Sequence, residues 1–199
     1  ARTSLAMTSL GAEVPQDILD LLCAYDKVTA QGINAVAYSL IALDSKPYIT
    51  DNTDIRDKYI QYMLDNVLNG GGWAYGDDKT ADADVDMTAM AIQALAAYYK
   101  SDSSAKKAVD KGLSWLSSVQ QNDGGFTSWG AANSESCAQV IVALTALGID
   151  PAKDSRFIKN GASVLDALCS FAVDGGGFKH LATETSANGM ATEQGFYAL

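Results

Sequence analysis

KGLSWLSSVQQNDGGFTSWG, residues 111–130, runs as an amphipathic stretch and then sets two glycines directly before an aromatic, Gly124-Gly125-Phe126. The same arrangement stands at Gly71-Gly72-Trp73 and at Gly176-Gly177-Phe178. Trp73 and Phe126 lie 53 residues apart, and Phe126 and Phe178 lie 52 apart. A fixed spacing of this size marks an internal structural repeat. A second marker accompanies it: DMTAMAIQAL (86–95), ESCAQVIVAL (135–144) and MATEQGFYAL (190–199) each follow a glycine pair, and NAVAYSLIAL (34–43) shares their cadence. LAMTSLGAEV (5–14) matches VALTALGIDP (142–151), so the chain is expected to begin inside one such segment.

Each repeat unit alternates two kinds of helix. MTAMAIQALAAYY (87–99) carries no charge over thirteen residues and is rich in alanine, which favours helix. A helix apolar on all sides belongs where it is buried on all sides. The second kind is one-sided. Ile55, Tyr59, Met63 and Val67 recur at four-residue steps with Arg56, Asp57 and Lys58 between them. Val109, Leu113, Leu116 and Val119 form a similar stripe, and Phe157, Val164, Leu168 and Phe171 a third. Buried inner helices and half-wet outer ones predict an all-α fold, an incomplete pair of concentric rings of about nine helices, with residues 1–199 as a single domain. Runs of alternating β-branched residues are missing, which leaves room only for scraps of strand near the glycine turns.

The glycines permit positive φ and close backbone approach, and they stop the outer helix. That gives Gly72, Gly125 and Gly177 a structural role, with Trp73, Phe126 and Phe178 as plugs between adjacent hairpins. Tyr75, two residues past Trp73, and Trp129, three past Phe126, are then the aromatics left over to touch a ligand. Small polar residues in TSWGAANSES (127–136) flank Trp129.

Net charge is −10, which disfavours nucleic acid or an anionic membrane as a partner. No run approaches the length of a membrane span, so no membrane insertion is expected. Three cysteines, Cys23, Cys137 and Cys169, do not make a disulfide framework. The single histidine, His180, excludes a metal centre built on several histidines. Neither a phosphate-binding loop nor a dinucleotide fingerprint is present. The first residues carry no leader, and TEQGFYAL (192–199) stops with a helical pattern still running. The expectation is a domain excised from a longer precursor and truncated at both ends.

Residues 111–126 resemble the glutamine-tryptophan repeat of squalene and oxidosqualene cyclases. Lys111, Gly112, Trp115, Leu116, Gln120, Gly124 and Phe126 fall on that motif's basic, small, aromatic, aliphatic, Gln, Gly and aromatic positions, with Phe126 where the family prefers Trp. The whole chain is similar to the prenyltransferase and squalene-cyclase repeat superfamily, whose members are α/α toroids. It looks most like toroid domains of large secreted or surface proteins of gut Firmicutes. The resemblance implies a bacterial extracellular or cell-surface location, with the rest of the parent protein as a partner. Fold likeness does not assign chemistry.

The acidic stretch GDDKTADADVDMTAMAIQAL (76–95) holds Asp77, Asp78, Asp82, Asp84 and Asp86. Class II terpene cyclases have Asp-Val-Asp-Asp-Thr-Ala at an inner-helix start. Here Asp84-Val85-Asp86-Met87-Thr88-Ala89 places Asp86 on the protonating aspartate and Met87 on a lost acidic companion. Asp82, Asp84 and Asp86 also alternate like the start of a calcium loop, but Met87 and Gln93 stand where that loop needs Gly and Glu. The third reading is helix capping, which explains acids at a helix start without a ligand. Protein prenyltransferases bind zinc through Asp-x-Cys and a later His. Glu135, Cys137 and His180 form the nearest set here, with His180 out of register. No metal and no cofactor is expected.

These observations favour a non-catalytic extracellular ligand-binding or adhesion-like module of a larger surface protein. Its ligand would be a small molecule, a glycan or a peptide. A corrinoid is conceivable by analogy with cobalamin carriers, but those need a second domain to clasp it. The alternative is an isoprenoid-processing enzyme, terpene cyclase or prenyltransferase-like, with Asp86 as acid. An enzyme requires a deep, aromatic-lined cavity with Asp86 pointing inward. A binding module requires a shallow funnel, with the aspartates wet or capping.

Overall fold

The computed structural model describes residues 1–76 and 78–199. Ten α-helices lie among these residues: α1 (Arg2–Ser9), α2 (Gln16–Leu22), α3 (Tyr25–Thr29), α4 (Ile33–Asp44), α5 (Ile55–Asp65), α6 (Val85–Leu95), α7 (Ser103–Val119), α8 (Ser134–Ala146), α9 (Val164–Cys169) and α10 (Gly189–Ala198). Two short antiparallel hairpins complete the framework, β1 (Thr127–Ser128) with β2 (Ala131–Ala132) and β3 (Ile158–Lys159) with β4 (Ala162–Ser163).

Helices α1, α4, α6, α8 and α10 pack in that order, each against the next. They form the inner arc of an α/α toroid. Helix α5 lies on α4, α7 on α6 and α9 on α8, forming the outer layer. Counting from the residue before α4, α6 and α8, the fifth position is Ala37, Ala89 or Ala138 and the tenth is Ala42, Ala94 or Ala143. All six are buried. Side chains this small set a short interaxial distance, which an arc of directly adjacent helices needs.

One clamp recurs at each junction. The carbonyls of Trp73, Phe126 and Phe178 accept hydrogen bonds from the backbone N–H of Asp84, Asn133 and Asn188, at 2.9, 3.4 and 2.8 Å. These three residues also cap α6, α8 and α10 with their side chains. Four residues after the cap, a side chain turns back to the aromatic. The amides of Trp73 and Phe178 donate to Thr88 Oγ1 and Thr192 Oγ1, both at 3.0 Å. The Phe126 backbone hydrogen-bonds to Cys137 in the same place. The aromatic is thus held at both backbone groups, and its ring enters the core. Trp73 is fully buried and donates its indole N–H to the Met63 carbonyl of α5 at 2.8 Å. A Cβ at Gly112 of α7 would lie 3.0 Å from that ring.

The glycines make room for the clamp. Gly72 and Gly177 have φ of 79° and 94°, and a Cβ on either would stand 2.7 or 2.8 Å from the clamping threonine hydroxyl. The middle repeat departs from expectation. Gly125 is not left-handed, and Gly124 takes that role at φ 85°, where a Cβ would meet the Ser163 carbonyl oxygen at 2.4 Å. Gln120 ties this turn down by donating to the Gly124 and Phe157 carbonyls at 2.8 and 2.9 Å.

The third outer stripe is not one helix. Phe157 closes a single 3-10 turn, the β3–β4 hairpin follows, and only Val164–Cys169 is helical. Asn160-Gly161 is the cause: both residues have positive φ, 49° and 88°, the signature of a tight hairpin turn.

A comparison of two glycine variants separates conformation from crowding. Gly176 has φ 101° with open space around its missing Cβ. Gly176→Ala should cost about 1 kcal/mol, the left-handed penalty alone. Gly72→Ala adds the collision with Thr88 and should cost at least about 2 kcal/mol in urea unfolding. Equal losses would show that the close approach is not what demands glycine at position 72.

Candidate functional site

The N-termini of α6, α8 and α10 converge on one mouth of the arc. Residues two and six positions after each cap line a cavity of about 430 Å³ there: Asp86 and Met90, Glu135 and Gln139, Met190 and Gln194. The β1–β2 hairpin and the loop at His180 form its rim, adding Ser128, Trp129 and Leu181. A second cavity of about 810 Å³ continues from Gln139 and Gln194 toward the other end, past Gln93, Tyr38, Ile41, Tyr197 and Arg2.

The two candidate acids have different jobs. Asp84 is the cap of α6. One carboxylate oxygen accepts the Met87 N–H at 2.9 Å, and the other accepts the Ser128 hydroxyl at 2.8 Å, which fixes the hairpin to the helix. Asp86 sits one turn-step further, at the head of the first cavity, with Oδ1 buried and without a hydrogen-bond partner among the described residues. Ser136 Oγ on α8 is equally buried and makes no hydrogen bond of good geometry, yet it lies near enough to Asp86 to favour its charged form. Burial pushes the Asp86 carboxyl up to about 6, helped by the charges of Asp84 and Glu135 and opposed by the Ser136 and Ser128 hydroxyls.

Glu135 pairs with His180, Oε2 to Nδ1 at 2.8 Å, and Glu135 Oε2 also accepts the Ser134 hydroxyl at 3.1 Å. The His180 backbone N–H donates to Glu184 at 2.9 Å. Cys137 does not join them. It is fully buried in the clamp on Phe126, and burial pushes its thiol up to about 12. Among the described residues no three of His, Cys, Asp and Glu come close enough to share a metal ion. That holds for the Glu135, Cys137 and His180 set and for Asp82, Asp84 and Asp86, of which Asp82 is exposed. Asp77 lies outside the described residues.

Tyr75 and Trp129 come from different repeats and meet on the rim, ring centroids 6.4 Å apart and edge to face. They remain 63% and 87% exposed. Trp129 has φ 53°, and Gly130 follows at 82°. The β3–β4 hairpin makes the same turn with Asn160-Gly161, the residue type it favours. A tryptophan in that position is strained by about 1 kcal/mol and gains no burial in return.

The glutamines are the part of the site that hydrophobic patterning missed. Gln139 is buried and donates to Gln194 Oε1 at 2.9 Å, and Gln93 donates to the Tyr197 hydroxyl at 3.3 Å. Their shared signal was position: Gln139 and Gln194 each stand six residues past the cap.

Two measurements check these assignments. With a thiol reagent at neutral pH, exposed Cys169 should react at once and Cys137 only after unfolding. A raised carboxyl pKa favours the folded state while protonated, and this contribution is lost as pH rises from about 4 through about 6. Asp86→Asn should therefore stabilise the protein at pH 8 by about 1–3 kcal/mol and leave it unchanged below pH 4, read by urea unfolding at both pH values.

Comparison with known proteins agrees with the architecture. No curated protein matches the chain. Residues 43–178, about two thirds of the sequence, match the family model of the squalene-hopene cyclase C-terminal domain. The chain belongs to the squalene-hopene cyclase C-terminal domain family.

Proposed function

We propose that this protein is a non-catalytic ligand-binding module of a larger extracellular bacterial protein, and that it binds a polar ligand at the α6–α8–α10 mouth. The chemistry of the inner wall carries this reading. In the same cavity as Asp86 stands a hydrogen-bonded amide pair, Gln139 with Gln194, which also lines the second cavity. A carbocation needs walls that neither add to it nor remove its protons. Amide oxygens are nucleophiles, and they suit a ligand that itself carries donors and acceptors. The aromatic rings are poorly placed for cyclisation: Trp129 is at the open rim, and Tyr38 and Tyr197 line the other cavity. Exposed Trp129 and Tyr75 instead offer a flat surface at the entrance, suited to a glycan or peptide.

One observation favours the enzyme reading. Asp86 heads a cavity with a buried, unpartnered oxygen and a raised pKa, as an internal acid requires. Its companion does not help, because both oxygens of Asp84 already accept hydrogen bonds.

Incubation of residues 1–199 with labelled squalene and geranylgeranyl diphosphate should return both unchanged, for the parent and for Asp86→Asn alike. Turnover abolished by Asp86→Asn would overturn the binding reading. In a thermal-shift screen of oligosaccharides and short peptides, followed by calorimetry, a true ligand should lose roughly tenfold or more in affinity on Trp129→Ala. A screen in which every stabilising compound is indifferent to Trp129→Ala and to Gln139→Leu would also reject it.

A further inference from the structure

The mouth of the arc repeats in register, and α4 has a share in it. Two residues after the cap stand Asn34 on α4, Asp86 on α6 and Glu135 on α8. Two residues after each clamped aromatic stand Tyr75, Ser128 and His180. Asp86, Glu135, Ser128 and His180 line the cavity of about 430 Å³ described above. Asn34 and Tyr75, their counterparts one repeat earlier, line a separate cavity of about 400 Å³ with the 29–32 turn and Gly76. Tyr75 stands between the two, because its ring meets that of Trp129 on the wall of the first cavity.

Each cavity holds polar atoms that the described residues leave unsatisfied. Asn34 accepts the Ala35 N–H through Oδ1 at 2.9 Å and keeps its amide N–H donors free among these residues. Asp86 Oδ1 makes no hydrogen bond of good geometry. His180 commits Nδ1 to Glu135 and keeps Nε2 unpartnered among the described residues. Donors and acceptors thus stand on both sides of the exposed Tyr75–Trp129 pair. A sugar matches this mixture. Its hydroxyls donate and accept alike, and its C–H face suits the negative face of an aromatic ring. Among the described residues no lysine or arginine lines either cavity, so an acidic sugar finds no partner there. A peptide is the poorer fit: strand addition needs a sheet edge, and β1 and β2 are two residues long.

We propose that the two cavities are adjacent subsites for one linear oligosaccharide free of acidic groups, which crosses the Tyr75–Trp129 pair. This rests on the reading of the α6–α8–α10 mouth as a ligand site and extends that site to α4. Asn34 donates to hydroxyls in one cavity, and Asp86 accepts from them in the other. The strained turn at Trp129 then has a use, since it holds the ring at the boundary that the sugar chain crosses.

The test is an array of linear glucans, mannans, xylans and N-acetylglucosamine oligomers, from disaccharide to octasaccharide, with oligogalacturonates and short peptides beside them. Hits are measured by calorimetry on the 199-residue protein. An oligomer without acidic groups should bind, and its octasaccharide roughly tenfold or more tightly than its disaccharide, because the second subsite is then filled within one molecule. Trp129→Ala should weaken every length. Asn34→Ala and Tyr75→Ala should remove most of the gain with length, and melting curves check that both variants fold. Affinity lost on Trp129→Ala but independent of length, Asn34 and Tyr75 would overturn the two-subsite proposal and leave the α6–α8–α10 site standing. So would a preference for oligogalacturonates, or Trp129-dependent binding of peptides alone. Saccharide binding indifferent to Trp129→Ala and to Gln139→Leu would remove the mouth itself as the site. An array on which no saccharide is retained overturns the proposal outright.

Discussion

The fold depends on an aromatic residue whose backbone amide and carbonyl are both taken by the next inner helix. The cap residue gives its N–H to the aromatic's carbonyl, and the residue four further on receives the aromatic's amide. With both groups satisfied, the peptide unit can be buried, and the ring follows it into the core at no polar cost. This explains why glycine precedes the ring: at Gly72 and Gly177 any Cβ would occupy the space of the clamping hydroxyl. It also explains why the caps are Asp84, Asn133 and Asn188, since each must cap its own helix while its backbone serves the clamp.

A clamp that fixes the start of each inner helix also fixes which residues face the lumen. Positions two and six after the cap line the mouth in α6, α8 and α10. The scaffold therefore leaves those positions free to vary, and the polarity of the cavity is decided there. In this chain they hold Asp86, Glu135, Gln139 and Gln194 beside two methionines. The same frame with apolar and aromatic residues at these positions would build a different solvent for its contents.

Much of this was legible in the sequence. The 53- and 52-residue spacing and the charge-free helices fixed the toroid, because burial on all sides leaves a plain compositional trace. The clamp was written there too, as Asp84 to Thr88, Asn133 to Cys137 and Asn188 to Thr192, always four apart. Cys137 drew attention as a metal ligand only because it was viewed apart from the two threonines it replaces. The sequence set Asp86 on the acid position but did not show that Asp84 is committed, since its partner is Ser128, a residue 44 positions away. The meeting of Tyr75 with Trp129 has the same character: it joins two loops of different repeats, and no local pattern encodes it. The broken third outer helix was a local matter, with Asn160-Gly161 overriding an apolar stripe of helical period.

The remaining tension is at Asp86. An acid strong enough to protonate an alkene must be more willing to ionise once its proton is gone, which requires donors waiting for the anion. Here burial outweighs the donors: the Ser136 and Ser128 hydroxyls favour the anion only in part, the carboxyl is pushed up to about 6, and Oδ1 has no hydrogen bond of good geometry. Such a group is a weak acid, reluctant to become an anion until a further donor reaches it. A ligand bringing an N–H or O–H to Oδ1 would satisfy the orphaned oxygen and ionise the carboxyl in the same step. The unpartnered atom at the head of the cavity is therefore better suited to recognising a hydrogen-bond donor than to releasing a proton to a hydrocarbon.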